Sequence, residues 1–231
     1  MTTSTTELLG LGLYSVDEAA RILHANPATV RRWVEGYYHQ DSEAKRQRHR
    51  PVVLPELDRF AGHRLLTFAN LMELHLIKLF RDAGVHMRTI RKAAEMAARR
   101  FATDHPFAWK RFDTDGKAIF ITLSHEDDRE MVQDAVTAQR VFEEMVRPFF
   151  LKVDDHQNEI IRYWPLGRQE CVVIDPSRAF GQPIDDPSGV PTAVLAEALE
   201  VEGNAEFVAR AYRVSVDAVL CAARFEGGAA A

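Results

Sequence analysis

The sequence predicts a mainly α-helical fold with small β elements. It divides into an N-terminal helix-turn-helix with a basic hairpin (residues 1–103), a small α+β linker or insert (104–170) and a C-terminal trihelical, helix-turn-helix-like domain (171–231). Three observations carry this reading. Apolar residues recur at helical spacing through most of the chain. Capping residues and glycines bracket those stretches. The charge also changes sign near Thr103: residues 1–103 hold 16 Lys and Arg against 11 Asp and Glu, and residues 104–231 hold 13 against 23. The net charge of −5, taken alone, would argue against a nucleic-acid partner. Resolved along the chain it becomes a basic module beside an acidic one, which suggests two separate roles.

The first helix opens at Ser15, where Ser15 and Glu18 have the spacing of a capping box. Val16, Ala19, Ala20 and Leu23 then share one face. His24-Ala25 is a turn, Asn26 an N-cap, and Pro27 suits the first helical position. The second helix, Pro27 to Glu35, stops at Gly36. Val30, Val34 and Trp33 are expected to pack inward, leaving Ala28, Thr29, Arg31 and Arg32 on the free face. Two short helices with so brief a connection read as a helix-turn-helix. An arginine on such a helix can pair bidentately with guanine in a major groove.

Tyr37 opens a segment in which Lys45, Arg46, Arg48 and Arg50 fall within six residues, followed by the β-prone Pro51-Val-Val-Leu54. A hairpin with a cationic tip beside a recognition helix is a wing. Its cations would sit on phosphates and make binding salt-dependent. Thr67 to Asp82 is apolar nearly all round, so it must be buried on several faces. Arg88 to Phe101 places Ile90, Ala93, Ala94, Ala97 and Phe101 on one face and Arg91, Lys92, Arg99 and Arg100 opposite, as a solvated surface or, less favoured, a contact to a phosphate backbone.

At this point Tyr14-Ser-Val-Asp-Glu-Ala-Ala, Ala28-Thr-Val-Arg-Arg-Trp33 and the Leu71…Gly84-Val85…Ile90-Arg-Lys pattern resemble the winged helix-turn-helix of MerR-type regulators over residues 13–101. The resemblance implies a DNA-binding role for Ser15, Asn26, Ala28, Thr29, Arg31, Arg32, Tyr37, Lys45, Arg46, Arg48 and Arg50. The long heptad stretch that follows in those regulators does not occur here, so the ligand sensing of the metal-binding members does not carry over.

In the middle, Asp113-Thr-Asp-Gly116 between β-prone runs reads as a hairpin turn. It also resembles the start of a calcium loop, but the twelfth position is Ser124 and not Glu. Asp128 to Val146 has one apolar face, and Phe149–Val153 and Glu159–Trp164 read as two strands. Val172 opens a short strand and a turn-rich connector. Helices are then expected over Thr192–Glu200, Ala205–Tyr212 and Val216–Glu226, with Asn204 and Ser215 as N-caps. The last two form a second helix-turn-helix. Residues 187–231 hold three Arg, no Lys and six Asp and Glu. Such a module forfeits the counterion release that dominates DNA affinity and is expected to face protein.

Asp175-Pro176, Phe180-Gly-Gln-Pro183, Val190-Pro-Thr192, Val208-Ala…Tyr212 and Val216…Phe225 resemble the trihelical domain of VapB-like antitoxins. The segments Arg111–Phe120 and Arg162–Leu166 resemble the hairpin and strand that precede it. This likeness departs at His86, where a capping Ser is usual. It implies a DNA-binding antitoxin and autorepressor of a type II pair, neutralising a PIN-type ribonuclease toxin through the acidic C-terminal part. A homodimer on a double-stranded operator is expected, joined through the helices with the broadest apolar faces.

Other classes find less support. No apolar run approaches the roughly 18 residues of a membrane span, and Met1–Gly12 lacks the basic and apolar regions of a secretory leader. A cytoplasmic location is expected. Two cysteines, Cys171 and Cys221, exclude a disulfide framework and a CxxC knuckle, and Cys221 is expected to pack in an apolar helix face. The nine histidines show no metal-ligand spacing, and no phosphate loop, dinucleotide fingerprint or nucleophile elbow occurs. No enzyme activity and no cofactor are expected. The alternatives are a stand-alone MerR-like regulator sensing a small ligand through 104–186, and a nucleoid or adaptor protein without a specific operator.

Overall fold

The computed structural model describes residues 10–40, 46–57, 59–60, 62–124 and 128–228. They form two compact units: Tyr14–Leu151 with Gln157–Ile160, and a second made of residues 10–13, 152–156 and 161–228. The boundary expected at Thr103 thus falls inside the first unit.

The first unit begins with β1 (Tyr14–Ser15), paired antiparallel to β4 (Leu65–Leu66) in the register Tyr14 to Leu66. Helices α1 (Val16–Ile22) and α2 (Pro27–Glu35) follow, then the hairpin β2 (Tyr37–Gln40) and β3 (Arg46–His49). The hairpin's second strand is therefore Arg46–His49, and the β-prone Pro51–Leu54 is irregular backbone. Its amides have another use: those of Val52 and Val53 donate to the carbonyl of Trp33, a terminal acceptor of α2 that the helix cannot satisfy.

Helix α3 (Phe68–Asp82) is the centre of this unit. Thr67 and Asn70 cap it reciprocally, and the Asn70 amide also donates to the carbonyl of Leu54. Phe68, Leu71, Met72, Leu74, Leu76, Ile77 and Phe80 are all buried. They are covered by the chain itself, so the broad apolar face expected to join two copies is already occupied.

Helix α4 (Met87–Phe101) starts at His86, whose side chain makes no cap. The cap comes from Asp134 on α6 (Arg129–Val141). Its carboxylate accepts from the His86 amide (3.1 Å), from Thr89 Oγ1 (2.8 Å) and from His86 Nδ1 (2.9 Å). Burial pushes the Asp134 carboxyl up, but hydrogen bonds from His86 and Thr89 outweigh this and hold it below the usual range. The missing capping Ser is replaced by an acid from a distant helix at the positive end of α4.

The hairpin expected at Asp113–Gly116 is instead the first turn of helix α5 (Phe112–Leu123). Phe112, Gly116, Ile119, Phe120 and Leu123 form a buried stripe at helical spacing. Asp113 and Asp115, which look like turn residues, suit the positive N-terminus. Gly116 serves packing: a Cβ there would lie 2.6 Å from the ring of Phe142 and 3.0 Å from that of Phe112. The rings of Phe80, Phe107, Phe112, Phe120 and Phe142 then form a chain of tilted and edge contacts with centroids 4.9–6.4 Å apart. Helix α6 continues through a π-helical turn (Phe142–Val146) into α7 (Arg147–Leu151). Phe149 and Phe150, expected in a strand, are thus helical core.

A second buried polar cluster lies within this apolar body. His105 sits between two carboxylates, Nε2 2.9 Å from Glu56 and Nδ1 3.0 Å from Glu73. Glu73 is buried, and burial raises its pKa against the pull of His105. Burial alone would discharge the imidazole, but the hydrogen bonds to Glu56 and Glu73 reverse this and raise its pKa to about 10.

The second unit holds β5 (Val153–His156), β6 (Glu159–Tyr163, its first residues grouped with the other unit), β7 (Val172–Ile174) and β8 (Pro183–Asp185) in the order β5-β6-β7-β8. Strand β8 arises within the segment expected to be a connector. Buried Asp175 organises the turn after β7, accepting from Ser177 and from Arg162 Nε. Helices α8 (Thr192–Glu202), α9 (Ala205–Tyr212) and α10 (Val216–Glu226) follow, with Asn204 and Ser215 capping the last two as expected. Leu195, Val208, Ala209, Val219 and Ala222 make their common core.

A pH dependence follows from His105. A pKa raised from 6.5 to about 10 means that the stabilisation is complete below pH 6.5 and is lost as the pH climbs through 10. The thermal midpoint should decline across that interval, and His105→Gln should flatten the decline. Parallel slopes for the two proteins would assign it to another group.

Candidate nucleic-acid interface

The interface is built on α1 and α2. Val16, Ala19, Ala20 and Ile22 of α1 and Val30, Trp33 and Val34 of α2 are buried, so the two helices fix each other through short apolar side chains. The connection is set by caps. Ser15 Oγ accepts from the Glu18 amide at 3.1 Å while the Glu18 carboxylate accepts from the Ser15 amide at 2.7 Å. Asn26 Oδ1 accepts from the Ala28 amide at 2.9 Å. Caps of this kind stabilise by about 1 kcal/mol each. They leave the Ser15 hydroxyl proton and the Asn26 amide hydrogens as donors.

The outward residues of α2 lie as the periodicity predicts. Ala28, Arg31 and Arg32 are exposed and Thr29 is half-buried. Arg31 Nη2 lies 3.5 Å from Asp17 of α1, with both side chains more than half exposed. Such a contact contributes little in water and leaves Arg31 able to exchange Asp17 for another acceptor. At the foot of the helix Glu35 accepts from Arg59 Nη2 at 2.7 Å, tying α2 to the chain after the wing.

The wing pairs Tyr37 with His49, Tyr38 with Arg48, His39 with Gln47 and Gln40 with Arg46. Tyr37 is exposed, and its ring stacks on His49 at 4.6 Å. The backbone of Arg46 and Arg48 belongs to β3. Lys45 lies outside the described residues, and Arg50 is exposed just beyond β3.

Two features that join wing to helix were not evident in the sequence. Gly36 adopts φ +74° and ψ −178°, a region open essentially to glycine. A Cβ there would lie 2.3 Å from the carbonyl oxygen of His49. As a helix-stop residue Gly36 is legible; as the point where two backbones nearly touch it is not. The second feature is Arg91 of α4, read as part of a solvated face. Its guanidinium donates to the carbonyls of Arg50 and Pro51 and is partly desolvated, which lowers its pKa. The sequence carries no local signal for it, because Arg91 and its acceptors lie about forty residues apart.

Among the described residues no three His, Cys, Asp or Glu side chains are grouped so as to hold a metal ion. No described helix is long and apolar enough to cross a membrane.

Gly36→Ala should cost about 1–3 kcal/mol of stability through backbone strain alone, beyond the clash with His49. Urea unfolding would register it, and an unchanged midpoint would mean that the α2–wing junction is not built as described.

Residues 12–94 match a protein family described as "Putative DNA-binding HTH domain". Over 216 residues, 89% of this chain and 90% of the relative, the sequence is 28% identical to a Mycobacterium tuberculosis protein named "Putative antitoxin VapB45". The crystal structure of Rv2018 from Mycobacterium tuberculosis superposes with a TM-score of 0.71 at 23% identity, covering 93% of this chain and 98% of that one. The chain thus carries a helix-turn-helix domain within a fold that is shared almost end to end with a solved structure.

Proposed function

We propose that this chain is a DNA-binding antitoxin that represses its own operon and neutralises a PIN-type ribonuclease toxin, acting as a homodimer in the cytoplasm. The observation that carries the reading is the likeness to a protein named as an antitoxin over nine-tenths of both chains, combined with a helix-turn-helix whose exposed face is cationic. The architecture supports a MerR-like arrangement, in which α2 enters the major groove and the β2–β3 wing lies on phosphates. Arg31 and Arg32 would read base edges, with Thr29 and Ala28 permitting close approach. Ser15, Asn26 and Tyr37 would position the backbone, and Lys45, Arg46, Arg48 and Arg50 would supply the electrostatic part.

The toxin-facing role belongs to the second unit. Counted over residues 1–13, 152–156 and 161–231, it carries 7 Lys and Arg against 13 Asp and Glu. That is the sign that would complement a ribonuclease whose own site attracts RNA. Between α8 and α9 a shallow groove of about 410 Å³ is lined by Val194, Val201, Phe207 and Tyr212 and rimmed by Glu197 and Glu202. These apolar residues are substantially exposed, which fits a face that is covered in a complex.

Two experiments test the two halves. In a salt series on the operator, Arg31→Ala should cost about 1–3 kcal/mol of specific binding with the slope retained. Replacing the four wing cations should flatten the slope by roughly 0.9 for each phosphate that is no longer neutralised. An unaffected operator affinity in the first variant, or an unaltered slope in the second, would remove those residues from the interface. Co-expression with the product of an adjacent reading frame of PIN type should yield a complex of defined stoichiometry and suppressed ribonuclease activity. Separate elution with full nuclease activity would leave a DNA-binding regulator without the antitoxin role.

A further inference from the structure

The chain's two cysteines are fifty positions apart in sequence, yet they meet in the second unit. Both are half-buried, and both line one shallow cavity of about 390 Å³ together with Glu170, Asp217 and Arg224. Cys221 Sγ donates to Glu170 Oε2 at 3.4 Å. Arg224 Nη2 lies 2.5 Å from the same oxygen and 3.7 Å from the sulfur. Both cysteines therefore open on the same cavity, beside the Glu170–Arg224 ion pair. Burial, then the neighbouring Cys221 sulfur, pushes the Cys171 thiol up to about 11.

Cys221 was expected to be a packing residue. The apolar face of α10 is instead formed by Ala218, Val219, Ala222 and Phe225, and Cys221 stands beside it among charged groups. Each sulfur is held on a fixed support. Cys171 directly precedes β7, and its carbonyl accepts from the Asp186 amide at 2.7 Å. Cys221 lies in the middle of a helix packed on the unit's core.

We propose that Cys171 and Cys221 form a reversible dithiol–disulfide site, oxidised by hydroperoxides, that staples α10 to the start of β7. Hydrogen peroxide transfers one oxygen to one thiol, giving a sulfenic acid and a molecule of water. The second thiol then attacks that sulfur: the S–S bond forms, the S–O bond breaks, and hydroxide leaves with the thiol's proton as a second water. An external dithiol reverses the step through a mixed disulfide and is itself oxidised. The bridge closes a loop containing β7, β8, α8 and α9, so it withdraws conformational freedom from the unfolded chain and raises the unfolding temperature. This inference does not depend on the antitoxin reading.

The test uses the full-length chain, reduced, desalted and treated with hydrogen peroxide. Peptide mass spectrometry without reductant should find Cys171 linked to Cys221 within one chain, both thiols should vanish from a thiol count, and phosphine should restore them. Cys171→Ser and Cys221→Ser should each abolish the link and leave a dimedone-reactive sulfenic acid on the remaining cysteine. Because the folded chain holds both cysteines on one cavity, the ratio of the Cys171–Cys221 link to interchain bridges and sulfinic acid should be at least about tenfold higher in buffer than in urea, as effective concentration dictates for the second step. Equal ratios in the two solvents, bridges only between chains, or oxidation of each sulfur to the sulfinic acid without a link would each overturn the proposal.

Discussion

Arg91 reaches from α4 to the carbonyls of Arg50 and Pro51, and the geometry of the proposed DNA face follows from that anchorage. The wing leaves α2 through a backbone conformation that essentially only glycine adopts, and it returns beside the carbonyl of Trp33. Between these fixed points lies a hairpin whose strands are mainly polar and charged in sequence. What aims it is the guanidinium, buried enough to lose solvation and compensated by two carbonyls. The cation that positions the wing is thus distinct from the cations that would touch phosphate. Removing it would act on binding indirectly, through the direction of the hairpin.

Charge distribution needs a similar distinction. Divided at Thr103, the sequence shows a basic half and an acidic half. Divided as the chain folds, the first unit has 22 Lys and Arg against 21 Asp and Glu. The helices after Phe101 bring acids into the same body as the helix-turn-helix. In the proposed function, attraction to nucleic acid would therefore come from local placement, on the free side of α2 and in the basic sequence of the hairpin, rather than from the unit as a whole. The second unit keeps its negative excess, which is consistent with a protein partner.

The parts of this architecture legible in the sequence are those governed by local rules. Ser15, Asn26, Asn204 and Ser215 cap helices because their oxygens reach amides two or three residues ahead, and that spacing is visible in the letters. The exposed side of α2 follows from 3.6-residue periodicity. The failures have a common cause in tertiary packing. Gly116 carries the local signature of a turn, yet its lack of a side chain admits the Phe142 ring. Phe149 and Phe150 are β-prone, yet the π-helical turn before them extends a helix whose buried face they complete. His105 gives no local sign of the two carboxylates that surround it, because Glu56 and Glu73 come from separate parts of the chain.

The carboxylate of Asp134 bears on what a domain means in this protein. The stretch shared with the helix-turn-helix family closes at residue 94, inside α4. The cap of that helix is supplied 48 residues beyond His86, and the ring of Phe80 rests on Phe107 and Phe120, which also lie past the boundary. The matched segment is therefore smaller than the cooperative module: cut at residue 94, it would carry an uncapped α4 and a half-covered core. Substitutions at Asp134, Phe107 or Phe120 would therefore act on the helix-turn-helix from outside the matched segment, through whether it is folded at all.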